Sequence, residues 1–196
     1  MQVKHSHLLD GIVVSEGNVD EHAIFRISHK ADFVSACQSR DRAIEHTSFD
    51  EFYTALGKGF SSLEAYMMLR ATVFNEKVEL ADRLSDKRKN GGFVTFEQKL
   101  REWLPKMTGT SINFDASSGW DDFKYLRQIR NDVAVHPKPG AGLSTIEQLA
   151  EGLNKFRTGI AATMFLLHQS FGDQMQSSII RAIRYPKVRV VIKESG

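Results

Sequence analysis

The sequence predicts an all-α fold: an up-and-down helical bundle with a small β appendage contributed by the two termini. Three observations predict it. Apolar residues recur at spacings of three and four over most of the chain. A Ser or Thr followed three residues later by Glu or Gln, the sequence mark of a helix start, occurs at Ser48–Glu51, Thr95–Gln98 and Ser144–Glu147. Valine-rich alternation is confined to the chain ends.

From Asp20 to about Ala36, residues Ile24, Ile27, Ala31 and Val34 fall at helix spacing. Phe49, Tyr53, Leu56, Phe60, Leu63, Met67 and Phe74 form the stripe of the next helix. The Gly57-Lys58-Gly59 triplet is a candidate break there, with Ser61 or Ser62 as a second cap. Val78 to Lys87 reads as a short helix, and Lys89-Asn90-Gly91-Gly92 as a turn. Thr95 opens a helix through Phe96, Leu100, Trp103 and Leu104. Met107 to Ser118 is polar and reads as a loop. A helix from Gly119 to about His136 turns Trp120, Phe123, Leu126, Ile129 and Val133 inward, and Pro137 ends it. The strongest pattern runs through Ile146, Leu149, Leu153, Phe156, Ile160, Met164, Leu167 and Phe171. The stretch 185–193 reads as a strand, with Gly11-Ile12-Val13-Val14 as its partner, because a lone strand is not stable.

Composition bounds the function. At 196 residues the chain is one domain's worth, and no repeat or linker divides it. Lysine and arginine exceed aspartate and glutamate by 26 − 24 = 2, with pI near 8.6, which permits a nucleic-acid partner without requiring one. The single cysteine, Cys37, excludes a disulfide scaffold and a cysteine-based zinc site. The most apolar stretch, Gly159 to Leu167, is interrupted by Thr163 and is far short of the roughly 20 residues that span a bilayer. The start of the chain lacks a signal-peptide pattern. A soluble, cytoplasmic protein without membrane contact is the expectation, with neither metal nor cofactor called for.

One stretch carries chemistry: Tyr125-Leu126-Arg127-Gln128-Ile129-Arg130-Asn131-Asp132-Val133-Ala134-Val135-His136-Pro137-Lys138. Asn131 and Asp132 are poor helix formers inside a periodic helix. Such a conflict between local preference and overall pattern marks a place where function can override stability.

Arg130 to His136 resembles the motif of the HEPN superfamily, an arginine and a histidine separated by four to six residues, the first of them polar. Here the gap runs over five residues, 131 to 135. HEPN domains are small helical domains, many of them metal-independent ribonucleases of toxin–antitoxin, abortive-infection and CRISPR-associated systems. The helix order over 48–76, 93–107, 119–136 and 144–171 is similar, as is the Ser61-Ser62-Leu63-Glu64-Ala65-Tyr66 stretch. The resemblance covers a core of about 48–172. Residues 1–45 stand as an N-terminal extension and 181–196 as a basic tail. It implies an endoribonuclease cutting RNA by 2′-hydroxyl attack, a homodimer with its active site at the interface, and a cognate antitoxin or defence-system partner.

The residues suit that chemistry on their own terms. Histidine titrates near neutrality, which fits His136 to general acid–base work. Arginine stays charged and grips phosphate oxygens with a forked donor set, which fits Arg130 to a building negative charge. Asn131 is placed to orient them. Asp132, Arg127, Lys124 and Lys138 are the candidate substrate contacts. Six steps of about 100° set Arg130 and His136 about 240° apart on an ideal helix, so convergence needs a perturbed helix end or a second copy. The same residues admit a structural reading, with Arg127 and Arg130 paired to Glu97 or Asp132 and His136 capping the helix. A non-catalytic RNA-binding or protein-interaction module is therefore the alternative.

Elsewhere, Glu64 is a candidate orienting carboxylate for Arg130 and otherwise an exposed helix residue. His5, His7, His22, His29 and His46 read as surface residues, and His168 as a helix-end residue. Arg181, Arg184, Lys187, Arg189 and Lys193 offer either a contact to RNA phosphates or a charged, solvated edge.

Overall fold

Six helices carry the fold among the described residues of the computed structural model, which are 8–9, 12–13, 21–88, 91–116, 118–135, 138–140 and 142–190. They are α1 (Glu21–Glu45), α2 (Phe49–Asn75), α3 (96–108), α4 (118–135), α5 (146–170) and α6 (Ser177–Ile183). The expected all-helical class is observed.

α1 runs about nine residues beyond its expected end, because its buried face differs from the one the spacing suggests. Phe33, Ala36, Cys37 and Ala43 are buried, whereas Val34 is 40% exposed. Small residues on that face let α1 lie along α2. Ser62 of α2 donates to the His29 carbonyl at 2.6 Å, so it clamps the pair rather than capping a new helix. Arg40, almost fully buried, sets its guanidinium 3.7 Å from the Tyr185 ring centroid and fixes α1 against the segment after α6.

α2 passes through Gly57-Lys58-Gly59 unbroken. Packing overrides the helix cost of about 1 kcal/mol per glycine. A Cβ on Gly59 would stand 3.0 Å from Cγ2 of Ile160, so the glycine admits the close approach of α5. Ser48 caps the helix by accepting from the Glu51 amide at 3.3 Å. The Glu51 carboxylate turns instead to Arg42, which donates to it at 2.7 and 3.0 Å.

The expected helix at 78–87 is only a single 3-10 turn, Leu80–Asp82. Asn75 explains it. Its amide donates to the Leu84 carbonyl at 2.8 Å and accepts from the Leu84 amide at 2.7 Å, tying the loop to the end of α2. A side-chain amide offers the same donor and acceptor as a peptide group, and here it replaces a strand partner.

The same device corrects the expected terminal sheet. Residues 185–190 take no strand conformation. Val188 pairs instead with the Asn154 side chain on α5, donating at 2.8 Å and accepting at 3.0 Å. Residues 191–193 of the expected strand lie outside the described residues. The N-terminal candidate pairs locally, β1 (Leu8–Leu9) with β2 (Ile12–Val13), antiparallel.

Two of the three helix-start signals hold as read. The third shifts by one residue: Thr145 caps α5 and Gln148 answers, with the Gln148 side-chain oxygen also accepting from Ser144. Trp120, Phe123 and Leu126 of α4 meet Leu149, Leu153, Phe156 and Ile160 of α5 in one buried cluster that reaches from Phe33 to Tyr185. α1 and α6 therefore share the core of the helices between them.

α3, α4 and α5 each contain a π-helical turn, at Lys99–Trp103, Asn131–Val135 and Arg157–Ala161. In the first and third, the bond to the residue five back is explicit: the Leu104 amide donates to Lys99 and the Ala162 amide to Arg157. A π turn inserts one residue and rotates the rest of the helix relative to α-helical register. No helix of the described residues is long and apolar enough to cross a membrane.

Candidate functional site

The arginine of the motif marks the junction of two helix types. The α-helical part of α4 is Ser118–Arg130, and Asn131–Val135 is the π turn. The local conflict at Asn131 and Asp132 thus falls where the backbone leaves α geometry. π turns are frequent at functional positions.

Arg130 is half-buried. Its guanidinium carbon lies 5.3 Å from the centroid of the Phe60 ring on α2. Its Nη1 donates to Oδ1 of Asn131 at 3.1 Å. Burial pulls its pKa down, the Glu64 charge raises it, and the neighbouring Arg127 lowers it. Among the described residues no carboxylate stands within ion-pair distance of it. Glu64 is held elsewhere, by Lys99 Nζ at 3.0 Å.

The other candidate cations all have acidic partners. Arg127 pairs with Glu97 on α3 at 3.4 Å, as the structural reading expected. Lys124 pairs with Asp121 at 2.7 Å, which raises its pKa. Lys138 reaches Oδ1 of Asp132 at 2.5 Å, and its backbone amide donates to the Asp132 carbonyl at 3.0 Å. Gln128 donates to Oδ2 of Asp132 at 2.6 Å. Asp132 therefore organises the end of α4 and the loop after it. His136 lies outside the described residues.

That loop is fixed to α2. The Leu143 amide donates to the Tyr53 hydroxyl at 2.7 Å. Gly142 sits at φ +115°, and a Cβ there would come within 2.7 Å of the same oxygen. Only glycine fits both the backbone angle and the space.

Sequence reasoning missed two groups of residues. The first is Lys99, 5% exposed and paired with Glu64 at 3.0 Å and Asp86 at 2.7 Å. A signal existed: Lys99 falls on the core stripe of α3, between Phe96 and Trp103. The second is a histidine pair. His29 and His168, read as surface and helix-end residues, are each 3% exposed. The His168 ring stacks on Tyr66 at 4.5 Å with an 8° tilt, and His29 lies 5.1 Å from the same ring. No sequence spacing signals this, because the three rings come from α1, α2 and α5.

No family model, curated protein or solved structure was found to match this chain.

Proposed function

We propose that the protein is a metal-independent endoribonuclease of the HEPN type, working as a homodimer in a toxin–antitoxin, abortive-infection or other phage-defence setting. The observation that carries the reading is the state of Arg130. It is half-buried, backed by Phe60, oriented by Asn131, and free of any acid within ion-pair distance among the described residues. A phosphodiester needs a cation that is not already neutralised.

The reaction is an intramolecular transesterification. The 2′-oxygen of RNA bonds to phosphorus as its proton passes to a base. The P–O5′ bond breaks, and the leaving oxygen takes up a proton. The products are a 2′,3′-cyclic phosphate and a 5′-hydroxyl. His136 supplies the base or acid, Arg130 balances the charge growing on the phosphoryl oxygens, and Asn131 fixes the fork of Arg130. A two-fold dimer brings two motifs to one cleft.

A second reading has an observation of its own. Lys124, Arg127 and Lys138 each face a carboxylate of this chain, which leaves less free positive charge for RNA. Of the two forms of the alternative, a non-catalytic RNA-binding or protein-interaction module, that favours the protein-interaction one. Cleavage of a mixed RNA pool in EDTA separates the two. The ribonuclease reading expects cutting by the wild type alone, with Arg130→Ala and His136→Ala silent at matched folding. Ends bearing a 5′-phosphate, or cutting by all three proteins, overturn it.

A further inference from the structure

A cleft of about 810 Å³ opens where α1, α2 and the end of α5 meet. Its size is that of a small-molecule site. It lies away from Arg130: on α2, Tyr66 and Arg70 stand about 160° and about 120° round the helix from Glu64, two and six steps of about 100° along the chain.

The polar groups of the cleft divide into satisfied and unsatisfied ones. Asp173 is satisfied. It accepts from the Tyr66 hydroxyl at 2.5 Å and forms an ion pair with Arg70. Arg70 also donates through Nε to the Tyr66 oxygen at 3.4 Å. His168 is not satisfied. It is 3% exposed, and neither ring nitrogen has a hydrogen-bond partner among the described residues. The Gln174 backbone lies near enough to favour a charged ring but lacks the geometry of a bond. A buried donor and acceptor left unmade cost free energy, and buried polar groups are seldom without a partner. Lys30 lines the cleft and is exposed, with no acid paired to it among the described residues. Lys30 and Arg70 against Asp173 leave the cleft one positive charge in excess. Leu69, Val73 and Met175 supply an apolar wall.

We propose that this cleft binds a small organic anion. Its phosphate or carboxylate head is held by Lys30, the outer edge of Arg70 and an N–H of His168, and its apolar body lies on Leu69, Val73 and Met175. An inorganic ion would leave most of the volume empty. A cation would meet Lys30 and Arg70. The inference does not depend on the ribonuclease reading.

The test is calorimetric titration of the full chain carrying Arg130→Ala, with phenyl phosphate, benzoate and phenol as probes at neutral pH. Histidine ring resonances are followed in parallel. At least one anion is expected to bind about tenfold or more tightly than phenol. The better of the two identifies the head group, and binding moves the His168 signals. Lys30→Gln, an exposed change, weakens the anion several-fold. His168→Phe keeps the ring stack, removes both nitrogens and weakens it further. Phenol binding as tightly as the anions overturns the proposal. So does anion affinity unchanged in Lys30→Gln and in His168→Phe, or no binding of either anion at millimolar concentration.

Discussion

The Arg130 guanidinium rests 5.3 Å from the centroid of the Phe60 ring, so a side chain of α2 supports the cation on which the α-helical part of α4 ends. Contacts of this kind contribute about 0.5–2 kcal/mol. Phe60→Leu keeps the site apolar and removes the ring. On the proposed ribonuclease reading, it is expected to lower kcat/KM for RNA about three- to thirtyfold, by loosening Arg130. Arg130→Lys keeps the charge and loses the fork, and is expected to cost about a hundredfold or more. Cleavage rates in EDTA on the same RNA check both. A Phe60→Leu protein with full activity and only a lowered Tm would show that the ring merely fills space.

Most of the fold was legible because it rests on local rules. The caps at Ser48 and Thr95 and the stripe from Leu149 to Leu167 are written in neighbouring residues. Two of the failures share one physical cause: the deciding contact came from far along the chain. Val188 found a side chain of α5 where a strand was expected. Gly59 stayed helical because Ile160 presses on it. At the site, Glu97 as the partner of Arg127 was legible in residue types. The freedom of Arg130 was not: Glu64 of α2, its candidate carboxylate, pairs with Lys99 of α3 instead.

That last relation makes Lys99 testable. It is 5% exposed, while Glu64 and Asp86 are each about a third exposed. Lys99→Met fills the space but leaves two carboxylates facing one another without a counter-charge. The expected loss is about 1–3 kcal/mol, read from the urea midpoint. It also frees Glu64, and on the proposed ribonuclease reading a freed Glu64 competes for Arg130, so RNA cleavage is expected to fall more than stability alone explains. Adding Glu64→Gln should restore much of the activity. If Lys99→Met leaves cleavage intact, the Lys99–Glu64 pair does not guard Arg130.

Stability should depend on pH through His168. Burial, then the nearby His29, lowers its pKa from 6.5 to about 4. The folded chain therefore binds fewer protons than the unfolded chain between those values. Unfolding free energy rises with pH across that window, is fully gained above about 6.5, and is lost as pH falls toward 4. The whole effect is at most about 3 kcal/mol. Carboxylates titrate near the lower end of this range, so the informative quantity is a difference. His168→Phe should show a shallower fall in urea midpoint between pH 6.5 and 4 than the wild type, by about one proton. Parallel curves for the two proteins would mean that His168 is not the group titrating.

Gly159 tests how closely α4 and α5 must cross. It lies in the π turn Arg157–Ala161 and is buried. A Cβ built on it would fall 2.9 Å from the backbone nitrogen of Phe123 and 3.1 Å from the carbonyl carbon of Asp122. Backbone cannot swing aside as a side-chain tip can, so the helices themselves must part. Parting would loosen the Phe123–Trp120 stack at 4.9 Å and the pairing of Asp122 with Lys155 at 2.6 Å. Gly159→Ala is expected to destabilise by about 1–3 kcal/mol, as overpacking of a close contact does, despite alanine's better helix propensity. Gly57→Ala is the control, because nothing lies within 4 Å of its Cβ position. There the propensity gain of up to about 1 kcal/mol should appear unopposed. Opposite signs for the two changes in one denaturation series are the expected result. A stabilised Gly159→Ala would show that the two helices have room to spare at their crossing.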